Sequence, residues 1–310
     1  MTDSGIPMNH GTLLVHKPVG MSSAQLVARV KKLFKARKAG HSGTLDPFAE
    51  GLMVLGLNHG TRLSRFFLAG DKRYTAEITF GSETDTLDST GTTVRTCSED
   101  FFRNNPDFFL PEILERLIRP FEGPIFQTPP VYSALKHNGV PLYKLARKGT
   151  PVQKEARLVT IHSLTLLAIR PPSITVDVCC SSGTYIRSLA ADIGEKAGCP
   201  AHLSALLRTE SCGFSLSDAW TLERLAAAES QDDALIPLTE ALPHLPCFTV
   251  GDAMRSAIMN GVSLDRDNGF LAAVNQAPLV KILDEQGRLI ALVEFDKTKG
   301  SYNYCCVFHD

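Results

Sequence analysis

The sequence predicts an α+β chain in two parts, a larger one over residues 1–242 and a small, mostly β one over 243–310. Three observations predict this. Strand-like and helix-like segments follow one another without the regular βαβ rhythm of a doubly wound parallel sheet. A length of 310 residues exceeds the usual size of a single domain. After Leu242 the pattern changes to a Pro-rich stretch, "PHLPCF", followed by one short helix and paired strands.

In chain order, "TLLVHKP" from Thr12 to Pro18 reads as a strand closed by a Pro-Val-Gly turn. The next segment, "SSAQLVARVKKLFKARK", opens with Ser22 and Gln25 at capping-box spacing. Its apolar residues recur at Leu26, Val27, Val30, Leu33 and Phe34, which predicts an amphipathic helix. "GLMVLGL" and "YTAEITFG" read as strands separated by a helical "TRLSRFFLAG". "SETDTLDSTGTTV" has the composition of a loop, and "PEILERLIRPF" starts with proline at a first helical position. "RLVTIHSLTLLAI" and "SITVDVCC" are strands joined by Pro171-Pro172. "TYIRSLAADIGEKAG" is a helix ended by Gly198. "HLSALLRT" and "CGFSL" return to strand character before the helical "TLERLAAAE". In the second part, "DAMRSAIMNG" is a helix, and "LVKILD" and "LIALVEF" are strands around Gln286-Gly287.

The composition, 44% hydrophobic and 21% charged, is that of a folded globular protein. A formal net charge of -1 excludes an evenly basic protein, so affinity for a polyanion has to come from local clustering. Such a cluster exists: between Met21 and Leu45 stand Arg29, Lys31, Lys32, Lys35, Arg37 and Lys38, with no acid among them. From charge alone this is equally a solvated helix face. The first residues lack the pattern of a secretory signal and no apolar run reaches membrane-spanning length, so a cytoplasmic location is expected. The eight cysteines show no C-x-x-C spacing and are expected to be reduced core thiols.

One carboxylate stands out. In "AGHSGTLDPFAEG", Asp46 precedes a proline, which biases it away from helical geometry, and Gly40, Gly43 and Gly51 allow a tight loop. Asp before Pro is also an ordinary turn-maker, so context decides.

That context is a resemblance. "GHSGTLDPFAEGLMVLGL" resembles the signature of the bacterial tRNA pseudouridine-55 synthases. "HKPVGMSS" looks like that family's K-P-x-G-x-[ST]-S opening. "DKRYTAEITFGSETDTLDSTG", "FEGPIFQTPPVYSALKHNGVPLYKLARKG" and "CSSGTYIRSLAADIG" are similar to its later motifs, in the expected order from Gly11 to Phe214. The resemblance implies the pseudouridine synthase fold: a mixed, largely antiparallel sheet flanked by helices and loops. More weakly, it implies a small PUA-like RNA-binding domain at 243–310. The implied activity is isomerisation of the T-loop uridine of tRNAs, acting on the T arm as a monomer with no cofactor, no metal and no obligatory protein partner.

Residue by residue, the resemblance implies that Asp46 is the catalytic carboxylate. Whether it attacks C1′, adds to C6 or removes a sugar proton stays open. Tyr74 matches the tyrosine that stacks on the flipped base and could take the C5 proton, and Arg187 matches the arginine that keeps the aspartate ionised. Tyr185 and Leu207 are implied pocket walls. His41 matches a histidine that packs against the RNA loop, and Lys17 a lysine that supports the active-site loop first and contacts phosphate second. The sequence departs from the pattern at Glu50, where relatives often carry Thr, at His16, where Asp is usual, and at Leu207 and Cys212. Three competing readings remain: a synthase for another RNA, an RNA-folding factor, and a nucleoside hydrolase. The last would need an aspartate cluster around a metal, which is not seen near Asp46.

Overall fold

The computed structural model describes residues 9–262, 264, 270 and 274–309. Its main element is a mixed sheet of ten strands. Eight of them lie in the spatial order Leu235–Ile236, Gly11–Lys17, Glu50–Leu57, Ala201–Ser211, Lys72–Phe80, Ser173–Cys180, Arg157–Arg170, Gly123–Gln127. Seven neighbour contacts join these eight, and six are antiparallel. The exception is central: Glu50–Leu57 and Ala201–Ser211 run parallel over two residue pairs, Leu207 with Glu50 and Arg208 with Gly51. The loop carrying Asp46 enters the sheet at that junction.

The central strands read as unbroken apolar runs because both faces of the sheet are covered. In Glu50–Leu57, Met53, Leu55 and Leu57 face the main core, to which the helices Ser23–Leu33 and Ile186–Ala197 contribute Leu26, Val30, Leu189 and Ile193. Leu52 and Val54 face the other way. There they meet Leu14, Leu63 and Phe67 together with Leu289 and Leu292 of a second, four-stranded sheet and Phe308 just past its last strand. That sheet runs Cys247–Val250, Leu279–Asp284, Leu289–Asp296, Ser301–Val307. It therefore closes the back of the large sheet with shared apolar residues.

Several details depart from expectation for local physical reasons. The basic helix keeps its capping box, with the Gln25 N–H donating to Ser22 Oγ at 3.2 Å and the Ser22 N–H to Gln25 Oε1 at 2.9 Å. It stops at Leu33, and Lys35 turns to positive φ. The N–H groups of Arg37 and Lys38 then donate to the buried Asn58 Oδ1, so that stretch is fastened to the sheet instead of continuing the helix. The predicted loop after Gly81 forms a short hairpin, Ser82–Thr84 with Thr93–Thr96. Cys247–Val250, inside and beyond the Pro-rich stretch, is a strand pairing parallel to Leu279–Asp284. The cysteines are free, but only Cys180 and Cys199 are buried, and Cys247 is exposed. Among the described residues no helix is long and apolar enough to cross a membrane.

Gly51 shows how tightly the parallel junction is built. Its φ is +115°, and a Cβ there would collide with the backbone of Arg208. Gly51→Ala is expected to cost about 3 kcal/mol or more, from strain and overpacking together. Urea unfolding measures this; a midpoint equal to that of the wild type would show that the junction is looser than its geometry.

Candidate active site

Asp46 is presented by a loop pinned on both sides. Ser23, in the first turn of the basic helix, holds the preceding residue twice: its hydroxyl donates to the Leu45 carbonyl at 2.8 Å and accepts from the Leu45 N–H at 2.9 Å. On the other side the Gly20 N–H donates to the Pro47 carbonyl at 2.7 Å, and the Ala49 N–H closes a turn onto Asp46. Lys17 is wholly buried beneath the loop. Its ammonium donates to the carbonyls of Pro18 (2.9 Å) and Met21 (2.7 Å), and burial pulls its pKa down to about 8. Those contacts tie the ammonium to the turn that follows its own strand.

The Asp46 carboxylate is 2.9 Å from Arg187 Nε, and about a third of its side chain is open to solvent (36%). Arg187 is the second residue of the helix Ile186–Ala197, which the Ala201–Ser211 strand and the core beneath it hold in place. Its guanidinium is buried and fully used. One terminal nitrogen donates to the Thr86 carbonyl (2.7 Å) and lies 3.6 Å from Asp88, and the other donates to the Tyr132 carbonyl (2.8 Å). Asp88 is itself held by the hydroxyls of Thr86 and Thr90 and the N–H of Thr90. Arg187 thus draws three segments of chain around one carboxylate. Desolvation raises the pKa of Asp46 above its ordinary 3.8, the Arg187 charge opposes that rise, and Asp88 adds to it.

Tyr74 lies on the neighbouring Lys72–Phe80 strand, on the face that carries Ala76 and Ile78 into the main core. Burial pushes its phenol above the usual 10, partly offset by the Arg208 guanidinium. Tyr185 caps the Arg187 helix. Buried Gln127 locks its backbone, accepting from the Tyr185 N–H at 2.7 Å and donating to its carbonyl at 3.0 Å, and Arg157 lies over its ring at 5.2 Å. His41 ends a short strand pairing with Glu50–Leu57. Its Nδ1 is buried without a hydrogen bond, and burial together with Arg208 lowers its pKa, so the ring is neutral.

Leu207 does not join this group. Its cross-strand neighbours are Thr75 and Glu50, one step out of phase with Tyr74, whereas Leu206 pairs with Ala76 and packs against the main core. The cause is a bulge: Leu203 pairs with Ile78 and Ala205 with Glu77, so Ser204 is an extra residue that shifts the phase of the strand. Sequence reasoning also passed over Arg208. Its side chain is buried, donating from Nε to the Leu52 carbonyl (2.7 Å) and from a terminal nitrogen to the Gly43 carbonyl (3.1 Å), which clamps the Asp46 loop to the sheet. Asp88 and Thr86 were visible only as letters of a motif. Among the described residues no group of three or more His, Cys, Asp or Glu side chains could hold a metal ion.

Comparison with known proteins places this arrangement. The family model described as "TruB family pseudouridylate synthase (N terminal domain)" matches residues 31–186, and "tRNA pseudouridylate synthase B C-terminal domain" matches 187–243. The chain belongs to the TruB family of pseudouridylate synthases. Within that family, a tRNA pseudouridine synthase B of Syntrophotalea carbinolica is 44% identical, over 78% of this chain and 77% of its own. That of Bacillus subtilis is 36% identical, over 92% and 93%. A solved Cbf5-Nop10-Gar1 complex contains a chain with the same fold, at a TM-score of 0.70 and 25% identity, covering 97% of this chain and 85% of that one. The two TruB matches together end at residue 243, within the part built on the large sheet, and the four-stranded sheet lies beyond both.

Proposed function

We infer that the protein isomerises uridine to pseudouridine in tRNA, at position 55 of the T loop, by extruding the target base into the Asp46 pocket. The observation that carries this reading is the 2.9 Å contact of Asp46 with a buried, fully engaged Arg187, beside Tyr74, in a chain of the TruB family. The reaction breaks the bond from C1′ to N1, turns the uracil and joins C1′ to C5; the C5 proton leaves and N1 is left protonated. No atoms are gained or lost, so no cofactor is called for. Positive charge develops on the sugar, and an ionised carboxylate held against it stabilises that charge or bonds to it.

The surroundings divide the labour. Arg187 keeps Asp46 ionised against its own desolvation. A phenol whose pKa is raised by burial is a poor source of phenolate, which favours Tyr74 as a stacking surface for the flipped base over Tyr74 as the base that takes the C5 proton. Tyr185 and Leu206 are placed to complete the pocket wall, and neutral His41 suits packing against an RNA loop more than proton transfer. Lys17, with both contacts to its own turn, supports the loop. The six cations of the first helix and the chain after it are all exposed, on a face that fits phosphate contact, salt-sensitive and blind to sequence. The four-stranded sheet is the part we assign, as a PUA-like unit, to gripping the tRNA beyond the T arm. The enzyme works on tRNA as a monomer in the cytoplasm.

Tritium release from tRNA labelled at C5 of its uridines tests the reading. Release that maps to the T-loop uridine is the expected result. Binding without release from any tRNA would move the assignment to an RNA-folding factor, and release from another loop would change the substrate.

A further inference from the structure

We propose that Glu50 reads the edge of an unpaired base adjacent to the extruded uridine, with that base resting on Phe48 in a cleft beside Asp46, and so sets a sequence preference next to the target. This rests on the RNA-uridine reading above.

The cleft encloses about 530 Å3 and is lined by residues that adjoin Asp46 and Asp88 in the chain. Pro47 and Phe48 follow Asp46 directly. Ser89 and Thr90 follow Asp88, whose carboxylate faces Arg187 at 3.6 Å. The third wall includes Leu206, which lies on the Tyr74 face of the sheet. A strand whose one nucleotide sits against Asp46 therefore meets this cleft with the next.

Its chemistry selects a base rather than a phosphate. Phe48, Pro47 and Leu206 give apolar surface for the π-face of a base, as in other single-strand sites. Glu50 is the charged residue among those lining the cleft, and a carboxylate there repels a phosphodiester. It is an acceptor only, so it favours bases that present N–H groups: the amino group of cytosine or adenine, or the N1–H and N2–H2 edge of guanine. Uracil offers one N–H flanked by two carbonyl oxygens that face the carboxylate unfavourably.

The Glu50 carboxylate lies beside an imidazole. Its carboxylate oxygen lies 3.6 Å from His16 Nε2, with 42% of its side chain still exposed to a ligand. His16 is fixed by its own N–H to the Trp220 carbonyl and by antiparallel pairing of its strand with Glu50–Leu57. The two positions at which this sequence departs from the family pattern on either side of the Asp46 loop therefore meet in space.

The test uses T-arm stem-loops with a constant target uridine and all four bases at each flanking position, turned over by wild type, Glu50→Ala and Glu50→Gln. At one flanking position the wild type is expected to favour amino-bearing bases over uracil in kcat/KM by about tenfold. Glu50→Ala should bring that ratio close to one, and Glu50→Gln, which can donate as well as accept, should lower it. A ratio unchanged in Glu50→Ala, or a uniform drop in kcat on every loop, would overturn the proposal. A second readout needs no turnover: Asp46→Asn protein is titrated with loops carrying 2-aminopurine at that position. A fluorescence change on binding that is lost with an added Phe48→Ala supports the cleft, and one that survives the change refutes it. A Phe48-dependent signal without turnover of any loop would count against the isomerase reading and for the cleft.

Discussion

Asp46→Asn is expected to lower tritium release from C5-labelled tRNA by about 10³-fold or more, while its thermal unfolding temperature at neutral pH equals or exceeds that of the wild type. Under the proposed function the activity loss follows from removing the carboxylate that would face the sugar, held at 2.9 Å from Arg187. The stability result follows from the direction of its pKa shift. Desolvation raises the folded-state value above the ordinary 3.8, so the folded chain binds this proton more tightly than the unfolded chain does. The resulting stabilisation is fully present below 3.8 and is lost as pH rises through the raised value. At neutral pH the charge is therefore a cost to the fold, and an amide of the same shape does not carry it. The same shift moves the acid limb of the wild-type pH-rate profile upward from the ordinary 3.8, with activity falling as pH drops through it. A variant with near wild-type release would remove Asp46 from the chemistry; one that loses release and stability together would make it a structural residue.

The parts of this site that were legible in the sequence are those set by near neighbours. The capping box of Ser22 and Gln25, the end of the Arg187 helix at left-handed Gly198 and the loop around Asp46 each depend on a few adjacent residues, and each forms where the local chemistry directs it. What escaped depends on distant parts of the chain. The inward leucine is Leu206 and not Leu207 because one extra residue, Ser204, resets the alternation of the strand, and nothing in "HLSALLRT" marks a bulge. Arg208 is buried because two carbonyls from other segments, Leu52 and Gly43, face it, so its burial is a property of the assembled sheet. His16 and Glu50 are separate oddities in the sequence and become one contact only through strand pairing. The strand Cys247–Val250 was hidden by the prolines that precede it, Pro243 and Pro246, and its parallel pairing to Leu279–Asp284 is a long-range choice that periodicity does not express.

Arg187→Lys is expected to be the most damaging conservative change in the protein. Lysine keeps the charge but has no planar fork, and Arg187 uses its fork on three partners at once: Asp46, the Thr86 carbonyl and the Tyr132 carbonyl. An ammonium at that depth can serve one of these well. Leaving buried acceptors without donors is expected to cost about 3 kcal/mol, and Arg187→Met, which also strands Asp88 and Asp46 without a counter-charge, about 3–5 kcal/mol. The effect on chemistry has its own signature. Arg187 is the chief influence that lowers the Asp46 pKa against desolvation, so weakening the pair raises that pKa further and moves the acid limb of kcat/KM to higher pH, beyond the fall in kcat of about 10²-fold. Urea unfolding and pH-rate profiles of the lysine variant measure the two consequences separately. If stability drops but the acid limb stays where it is in the wild type, Arg187 is a clamp on the loops of Thr86 and Tyr132 and does not tune the carboxylate. If both move, the one side chain joins the fold to the reaction: the hydrogen bonds that draw three chain segments together also keep Asp46 charged at the moment the glycosidic bond breaks.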